Sequence, residues 1–127
     1  TILELARIEK PDYMQGESMV NLISGKKDKT WRKSIFFEYY VDDAWPYAGP
    51  DQVAVRTNEY KLIDNFLDED IDELYDLIND PGEMKNLIND TKFDSIENKL
   101  RKEAEKLKEQ YNYNPDRDWW LRKQIRK

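Results

Sequence analysis

QVAVRT (52–57), the dipeptide Asn58-Glu59, YKLIDNFL (60–67) and, past the acidic tip Asp68-Glu69-Asp70, DELYDL (72–77) form the stretch on which the fold turns. QVAVRT alternates in hydrophobicity, the period of a strand with one face covered. Asn58-Glu59 leaves room only for a tight reversal, so the runs on either side of it should pair antiparallel. DELYDL reads as the next strand. Upstream, SIFFEYYV (34–41) is β-branched and aromatic, which predicts a strand buried on much of both faces. Four short strands in succession imply an antiparallel meander. Between the first two lies DDAWPYAGPD (42–51), whose two Pro and one Gly make it an irregular loop.

The flanks read as helical. In TILELARI (1–8), Ile2, Leu5 and Ala6 fall on one side of a short helix that Lys10-Pro11-Asp12 ends. Ser18 is placed to cap a second short helix carrying Met19, Leu22 and Ile23, with Gly25 closing it in a left-handed conformation. After the strands, Asp80-Pro81-Gly82-Glu83 has the form of a helix start, with Asp80 as cap, Pro81 first in the helix and Glu83 reaching back. Met84, Leu87 and Ile88 would then face inward. From Thr91 to Tyr111 a longer helix is expected. Phe93, Ile96, Leu100, Ala104, Leu107 and Tyr111 recur at spacings of three and four, and Glu97–Arg101 is a favourable pair one turn apart. The fold class is therefore α+β: a four-stranded antiparallel sheet with a long C-terminal helix packed on one face and short helices at the N-terminus. We read residues 1–127 as a single domain, with a helical lead-in (1–30), the sheet (34–77), helices (80–111) and a tail (112–127).

The chain has 127 residues, 21 Lys plus Arg against 27 Asp plus Glu, a net charge of −6 and a pI near 4.8. A general nucleic-acid binder needs a basic face to displace counterions, so no nucleic-acid partner is expected. The longest apolar runs, such as Ile35-Phe36-Phe37, fall far short of a membrane span. Four Trp, eight Tyr and four Phe supply apolar surface that a disordered polyelectrolyte lacks. Cys and His are both absent, which removes the thiolate nucleophile, Cys zinc sites and the usual neutral-pH general base. No signal peptide is visible at the start, and a first residue of Thr1 rather than Met is what a piece of a longer protein would have.

Few motifs carry chemistry. Asp68-x-Asp70-x-Asp72 opens like a calcium loop, but position six is Glu73 instead of Gly and position twelve is Asn79 instead of Glu. An acidic hairpin tip is the better account. Glu38, Asp42 and Asp43 have no diagnostic spacing for paired-carboxylate hydrolysis, and Glu38 either faces solvent or pairs with Arg56 across the sheet. No nucleophile elbow and no phosphate-cradling Gly loop occurs. Loop 42–51 is the most suggestive surface. Trp45 and Tyr47, beside Asp42 and Asp43, could stack on a sugar ring and accept bonds from its hydroxyls, or could simply pack the loop onto the sheet. Trp119-Trp120 in the basic tail is read as pinned to the body.

Several of these segments, taken in order, resemble one family. TILELARI, the run Pro11-Asp12-Tyr13-Met14-Gln15-Gly16-Glu17-Ser18, Trp31-Arg32 leading into FFEYY, AVRTNEYKLI (54–63) and ELYDLINDPGEMKNL (73–87) are similar to the C-terminal portion of type I, formylglycine-dependent sulfatases of the alkaline phosphatase superfamily. The resemblance implies a sulfuric ester hydrolase whose nucleophile, made from Cys or Ser in C/S-x-P-S-R, sits with a calcium ion in an N-terminal catalytic domain. No such motif occurs here, so cofactors are expected in that domain and none in this chain. It implies a fragment that is non-catalytic alone, stabilises the fold and supplies the edge of the substrate pocket through Asp42, Asp43, Trp45 and Tyr47. The partners implied are the catalytic domain and, through it, a sulfated sugar or other sulfate ester. The location implied is periplasmic or secreted. Arg56, Tyr60, Leu74, Tyr75, Asp80, Pro81, Glu83 and Asn86 match the family pattern and are read as structural. Tyr75 and Leu74 would fill the sheet–helix core, and Arg56 would meet a buried acceptor. The alternatives are a stand-alone carbohydrate-binding or protein-interaction module, and the tail of a related phosphoester hydrolase. A chain separated from its catalytic neighbour should expose apolar residues around 1–8 and 18–24, a place for self-association.

Overall fold

The computed structural model describes residues 1–26, 30–39, 52–65 and 71–114. The chain forms two compact units, Thr1–Arg32 and Lys33–Lys127. The first contains two one-turn helices, α1 (Ile2–Leu5) and α2 (Val20–Ile23). Helix α1 is shorter than the sequence predicts, because Arg7 turns left-handed (φ 58°) straight after it, whereas Gly25 (φ 74°) closes α2 in the left-handed conformation expected of it. Ser18 Oγ accepts from the Val20 amide at 3.3 Å, and Thr1 Oγ1 accepts from the Met19 amide at 2.8 Å. Neither helix contains a buried residue.

The second unit is the α+β body. Strands β1 (Ser34–Tyr39), β2 (Gln52–Thr57), β3 (Tyr60–Asn65) and β4 (Glu73–Asp76) pair antiparallel in chain order. Thr57 makes the β2–β3 reversal. Its Oγ1 accepts from the Glu59 and Tyr60 amides at 3.2 and 2.9 Å, which sets the register Val55↔Leu62. Leu62 in turn lies opposite Leu74. These three residues lie on one face, and α3 (Asp94–Gln110), entered through a 3-10 turn at Thr91–Phe93, covers them with Leu100, Ala104 and Leu107. Asp90 caps the entry by accepting from the Lys92 amide. Phe36, Tyr60, Phe93, Ile96 and Tyr111 pack around this core, so all six residues of the predicted stripe face the sheet. Past α3, Asn112 turns left-handed and Tyr113 meets Phe36 edge-on at 5.5 Å.

Three details of the strands and of segment 80–88 also differ from the sequence reading. Strand β1 is an edge strand that is not buried on both faces, since Ile35, Phe37 and Tyr39 are 50%, 39% and 54% exposed. Apolar composition alone does not distinguish a central strand from an edge strand. Second, Glu38 lies opposite Val53, and Arg56 opposite Ile35, so the predicted Glu38–Arg56 pair does not form in register. Third, residues 80–88 are not a helix, and Met84 is 88% exposed. Gly82 costs a helix about 1 kcal/mol relative to Ala, and a one- or two-turn helix has little to set against that cost. The segment instead docks its backbone on the β4 edge. The Leu87 amide donates to the Leu74 carbonyl at 2.8 Å, and Asn86 Oδ1 accepts from the Leu74 amide at 3.0 Å.

Candidate functional site

The residues singled out in sequence fall into two groups. Asp42, Asp43, Trp45 and Tyr47 lie outside the described residues, as do the acidic tip at 68–70 and Trp119-Trp120. Among the described residues, Tyr39 pairs with Gln52 and Gln52 with Asn65, so these three lie together at one end of the sheet. At that end Asp72 is already committed. Its Oδ1 accepts from the Asn65 amide at 3.1 Å and its Oδ2 takes Arg101 Nη2 at 2.7 Å. Glu97 holds the other side of Arg101 at 2.8 Å. These two carboxylates raise the guanidinium pKa further, although burial works against it.

The second group, the residues that carry the family resemblance, comes together around segment 80–88. Alternation puts Arg56, Lys61 and Tyr75 on the sheet face opposite α3, where Lys61 lies between its register partners Arg56 and Tyr75. Glu83, held at φ 54°, forms an ion pair with Lys61 Nζ and sits 3.8 Å from Arg56 Nη1. Lys61 also lies 5.5 Å from the Tyr75 ring centre. The Tyr75 hydroxyl donates to the Glu73 carboxylate. That bond first, then burial and the nearby negative charges, push its pKa up to about 12. Tyr75 therefore stands outside the sheet–helix core, and only Leu74 fills it. Arg56 has half of its side chain exposed and meets an accessible acceptor, not a buried one. Sequence reasoning missed the role of Glu83 as the common partner of two cations. Its place in the matched motif was the available signal, but a helix start was the simpler reading of Asp80-Pro81-Gly82-Glu83.

Two aspartates on the α3 face are held differently. Asp76 accepts from the Ile78 and Asn79 amides at 3.0 Å each and from Asn79 Nδ2 at 2.8 Å, which holds its carboxyl below the usual range. Asp64 lines a small cleft of about 70 Å³ between β2, β3 and α3, together with Arg101 and Glu105. Burial and the neighbouring Asp72 raise its pKa, against the pull of Lys108 and Arg101. The clustered charges thus neutralise one another and hold the secondary structure in place. Among the described residues no group of three or more acidic side chains could hold a metal ion. No described helix is long and apolar enough to cross a membrane.

The family model for the C-terminal region of N-sulphoglucosamine sulphohydrolase matches residues 1–110. The chain belongs to this family. As a sulfatase C-terminal domain it is 32% identical over 119 residues to an N-acetylglucosamine-6-O-sulfatase of Bacteroides thetaiotaomicron, covering 91% of this chain and 21% of that protein. A Δ4,5-hexuronate-2-O-sulfatase of the same organism is 32% identical over 96 residues, covering 76% of this chain and 19% of that protein. A protein solved with its substrate D-glucosamine-2-N,6-O-disulfate superimposes with a TM-score of 0.83 at 29% identity, covering 91% of this chain and 24% of its own. A 2-O glycosaminoglycan sulfatase superimposes with a TM-score of 0.78 at 28% identity, covering 93% and 25%. The sulfatase C-terminal domain described here thus spans about a fifth of the length of these two Bacteroides sulfatases.

Proposed function

We propose that residues 1–127 serve as the C-terminal domain of a sulfatase that hydrolyses a sulfate ester on a sugar, non-catalytic alone, stabilising the enzyme and forming one edge of its substrate pocket. The match along residues 1–110 to a sulfatase C-terminal family, with sugar sulfatases among the relatives, carries this reading. The formylglycine nucleophile has no precursor motif in this sequence, and the described residues offer calcium no ligand cluster. The chain has no Cys and no C/S-x-P-S-R, and among the described residues the carboxylates of Glu83, Asp72 and Asp76 are already bound to Lys61, to Arg101, and to Asn79 with two amides. We assign both to an N-terminal catalytic domain and derive no chemical step through them here. In the proposed pocket, Trp45 and Tyr47 offer flat faces to a sugar ring, and Asp42 and Asp43 accept from its hydroxyls.

The test is a chimera in which residues 1–127 replace the matching C-terminal region of the Bacteroides N-acetylglucosamine-6-O-sulfatase. The chimera should release sulfate from glucosamine 6-sulfate, and the isolated chain should release none above buffer. Trp45→Ala in the chimera should raise KM more than it lowers kcat. A folded chimera without turnover, or sulfate release by the isolated chain, would overturn the reading. Saturable quenching of Trp fluorescence by oligosaccharides on the isolated chain, lost in Trp45→Ala, would favour a stand-alone binding module instead.

A further inference from the structure

Helix α3 buries one side against the sheet, and on its solvent side the charges are sorted by sign. Lys99, Lys102 and Lys106 are exposed and, at about 100° per residue, fall within an arc of about 60°. Lys92, also exposed, stands two turns ahead of Lys99 in the preceding 3-10 turn, so the row runs about 20 Å along the axis. Its spacing does nothing for the helix. The residues four before Lys99 and Lys102 are Ser95 and Asn98 instead of acids, and Lys102 and Lys106 are themselves a like-charged pair one turn apart. Arg101, by contrast, has Glu97 in the favourable place and takes it at 2.8 Å. Among the described residues Lys92, Lys99 and Lys102 have no carboxylate at ion-pair distance, and Lys106 has Glu103 at 3.6 Å. Acids border the row, Glu103 on one side and Glu105 and Glu109 on the other. Glu103 accepts from Ser34 Oγ at 2.6 Å and Glu105 from Lys108 at 2.8 Å, so two of these three are already met by donors of this chain.

We infer that the lysine row of α3 is a binding surface for a linear polysaccharide that carries several sulfates. The inference rests on the proposed function, a sulfate ester on a sugar, and goes beyond it by making that sugar one unit of a charged polymer. Charge complementarity selects the occupant. A row of unpaired ammonium groups matches anions repeated along a chain and releases the counterions that the chain has condensed. The net charge of −6 opposes any polyanion at long range, so attraction acts only within a Debye length, about 10 Å at 0.1 M salt. The polymer must therefore lie on the row itself. A single-stranded nucleic acid binds with aromatic faces under its bases, and a membrane surface takes apolar side chains into its acyl boundary. None of the exposed residues of α3 is aromatic or apolar, so the helix is made for neither.

Anisotropy of labelled dextran sulfate titrated with chain 1–127 over a series of NaCl concentrations tests the row, with unsulfated dextran alongside. Dextran sulfate should bind with an affinity that falls as salt rises, and dextran should not bind. The triple variant Lys99→Gln, Lys102→Gln, Lys106→Gln should weaken binding at least ten-fold and flatten the log–log salt slope by about 2. Its melting temperature should stay as it is. Replacing Lys10, Lys26 and Lys85, exposed lysines off the helix, by Gln removes the same charge and should weaken binding less than two-fold. Equal losses in the two triple variants would overturn the inference, since net charge alone would then hold the polymer. So would a chain that ignores dextran sulfate. Single-stranded DNA or phosphatidylglycerol vesicles bound more tightly than dextran sulfate, and released by the α3 variant, would give the row another partner and overturn it too. In the chimera described above, the α3 variant should raise KM several-fold for a sulfated oligosaccharide ending in glucosamine 6-sulfate and leave KM for glucosamine 6-sulfate unchanged. An unchanged KM for the oligosaccharide would count against the row as a substrate surface. Turnover of glucosamine 6-sulfate by the chimera, with no binding of dextran sulfate, would sink the row and leave the proposed function standing. Dextran sulfate held by the row in a folded chimera that releases no sulfate would do the reverse.

Discussion

The Asp76 carboxylate is surrounded by donors, while Asp64, on the same sheet face, stands in a half-buried cleft beside another carboxylate. Linkage turns these surroundings into opposite pH dependences. The stability carried by Asp76 is present above the ordinary aspartate range and is lost as pH falls through its lowered native pKa. For Asp64 the native pKa is raised, so its contribution is intact at low pH and is lost as pH rises through that value. Asp76→Ala should therefore lower the melting temperature at pH 7, with the deficit shrinking as the pH falls through the lowered native pKa. Asp64→Asn should raise it slightly at pH 7 and change nothing in acid. Thermal melts of both variants from pH 2.5 to 8 check the signs. Tyr75 gives a third case. Its phenol is held protonated to about 12, so stability should fall as pH climbs from 10 through 12. Tyr75→Phe should remove that part of the alkaline loss, and ultraviolet titration should show a late-ionising tyrosine that is missing from this variant.

Among the elements, the two sheet faces separate residues that look alike in sequence. Leu74 is fully buried under α3, and Ile35 on the other face of β1 is half exposed. Leu74→Ala should cost about 2–5 kcal/mol, from lost transfer and a residual cavity, and Ile35→Ala about 0.5 kcal/mol or less. Urea unfolding of the two variants gives the contrast directly. Asn86→Ala should cost about 1–3 kcal/mol, because it strands the Leu74 and Ile88 amides that Asn86 Oδ1 accepts from. The strands, the Asn58-Glu59 reversal and the α3 stripe were legible because each is written as a period within one segment. The fate of 80–88 was not, since capping signals speak only of local preference. The docking of Leu87 on β4 and of Glu83 on Lys61 are long-range contacts that outweigh it. The edge position of β1 is likewise a matter of what lies beside it in space. For the candidate site, the resemblance pointed to the right family, yet the residues that carry it turned out to brace segment 80–88 against the sheet.

For the whole molecule, metal dependence follows from where the oxygen donors are. The only run with calcium-loop spacing is Asp68-x-Asp70-x-Asp72, and it lacks the Gly and the bidentate Glu that such a loop uses to turn and to close around the ion. Asp72, its one described member, accepts at Oδ1 from the Asn65 amide and at Oδ2 from Arg101, so binding calcium there would first break the salt bridge that ties the residue before β4 to α3. A ligand raises stability only through its preference for the native state, by RT ln(1 + [L]/Kd). With no preformed cage among the described residues, millimolar calcium should leave the melting temperature of the isolated chain within about 1 °C of its value in chelator, and Asp70→Asn should behave as the wild type does. The chimera carrying a catalytic domain should lose melting temperature and turnover together when calcium is chelated. A calcium-dependent rise in the isolated chain that Asp70→Asn abolishes would place a metal site on the β3–β4 hairpin and move part of the enzyme's metal chemistry into this domain.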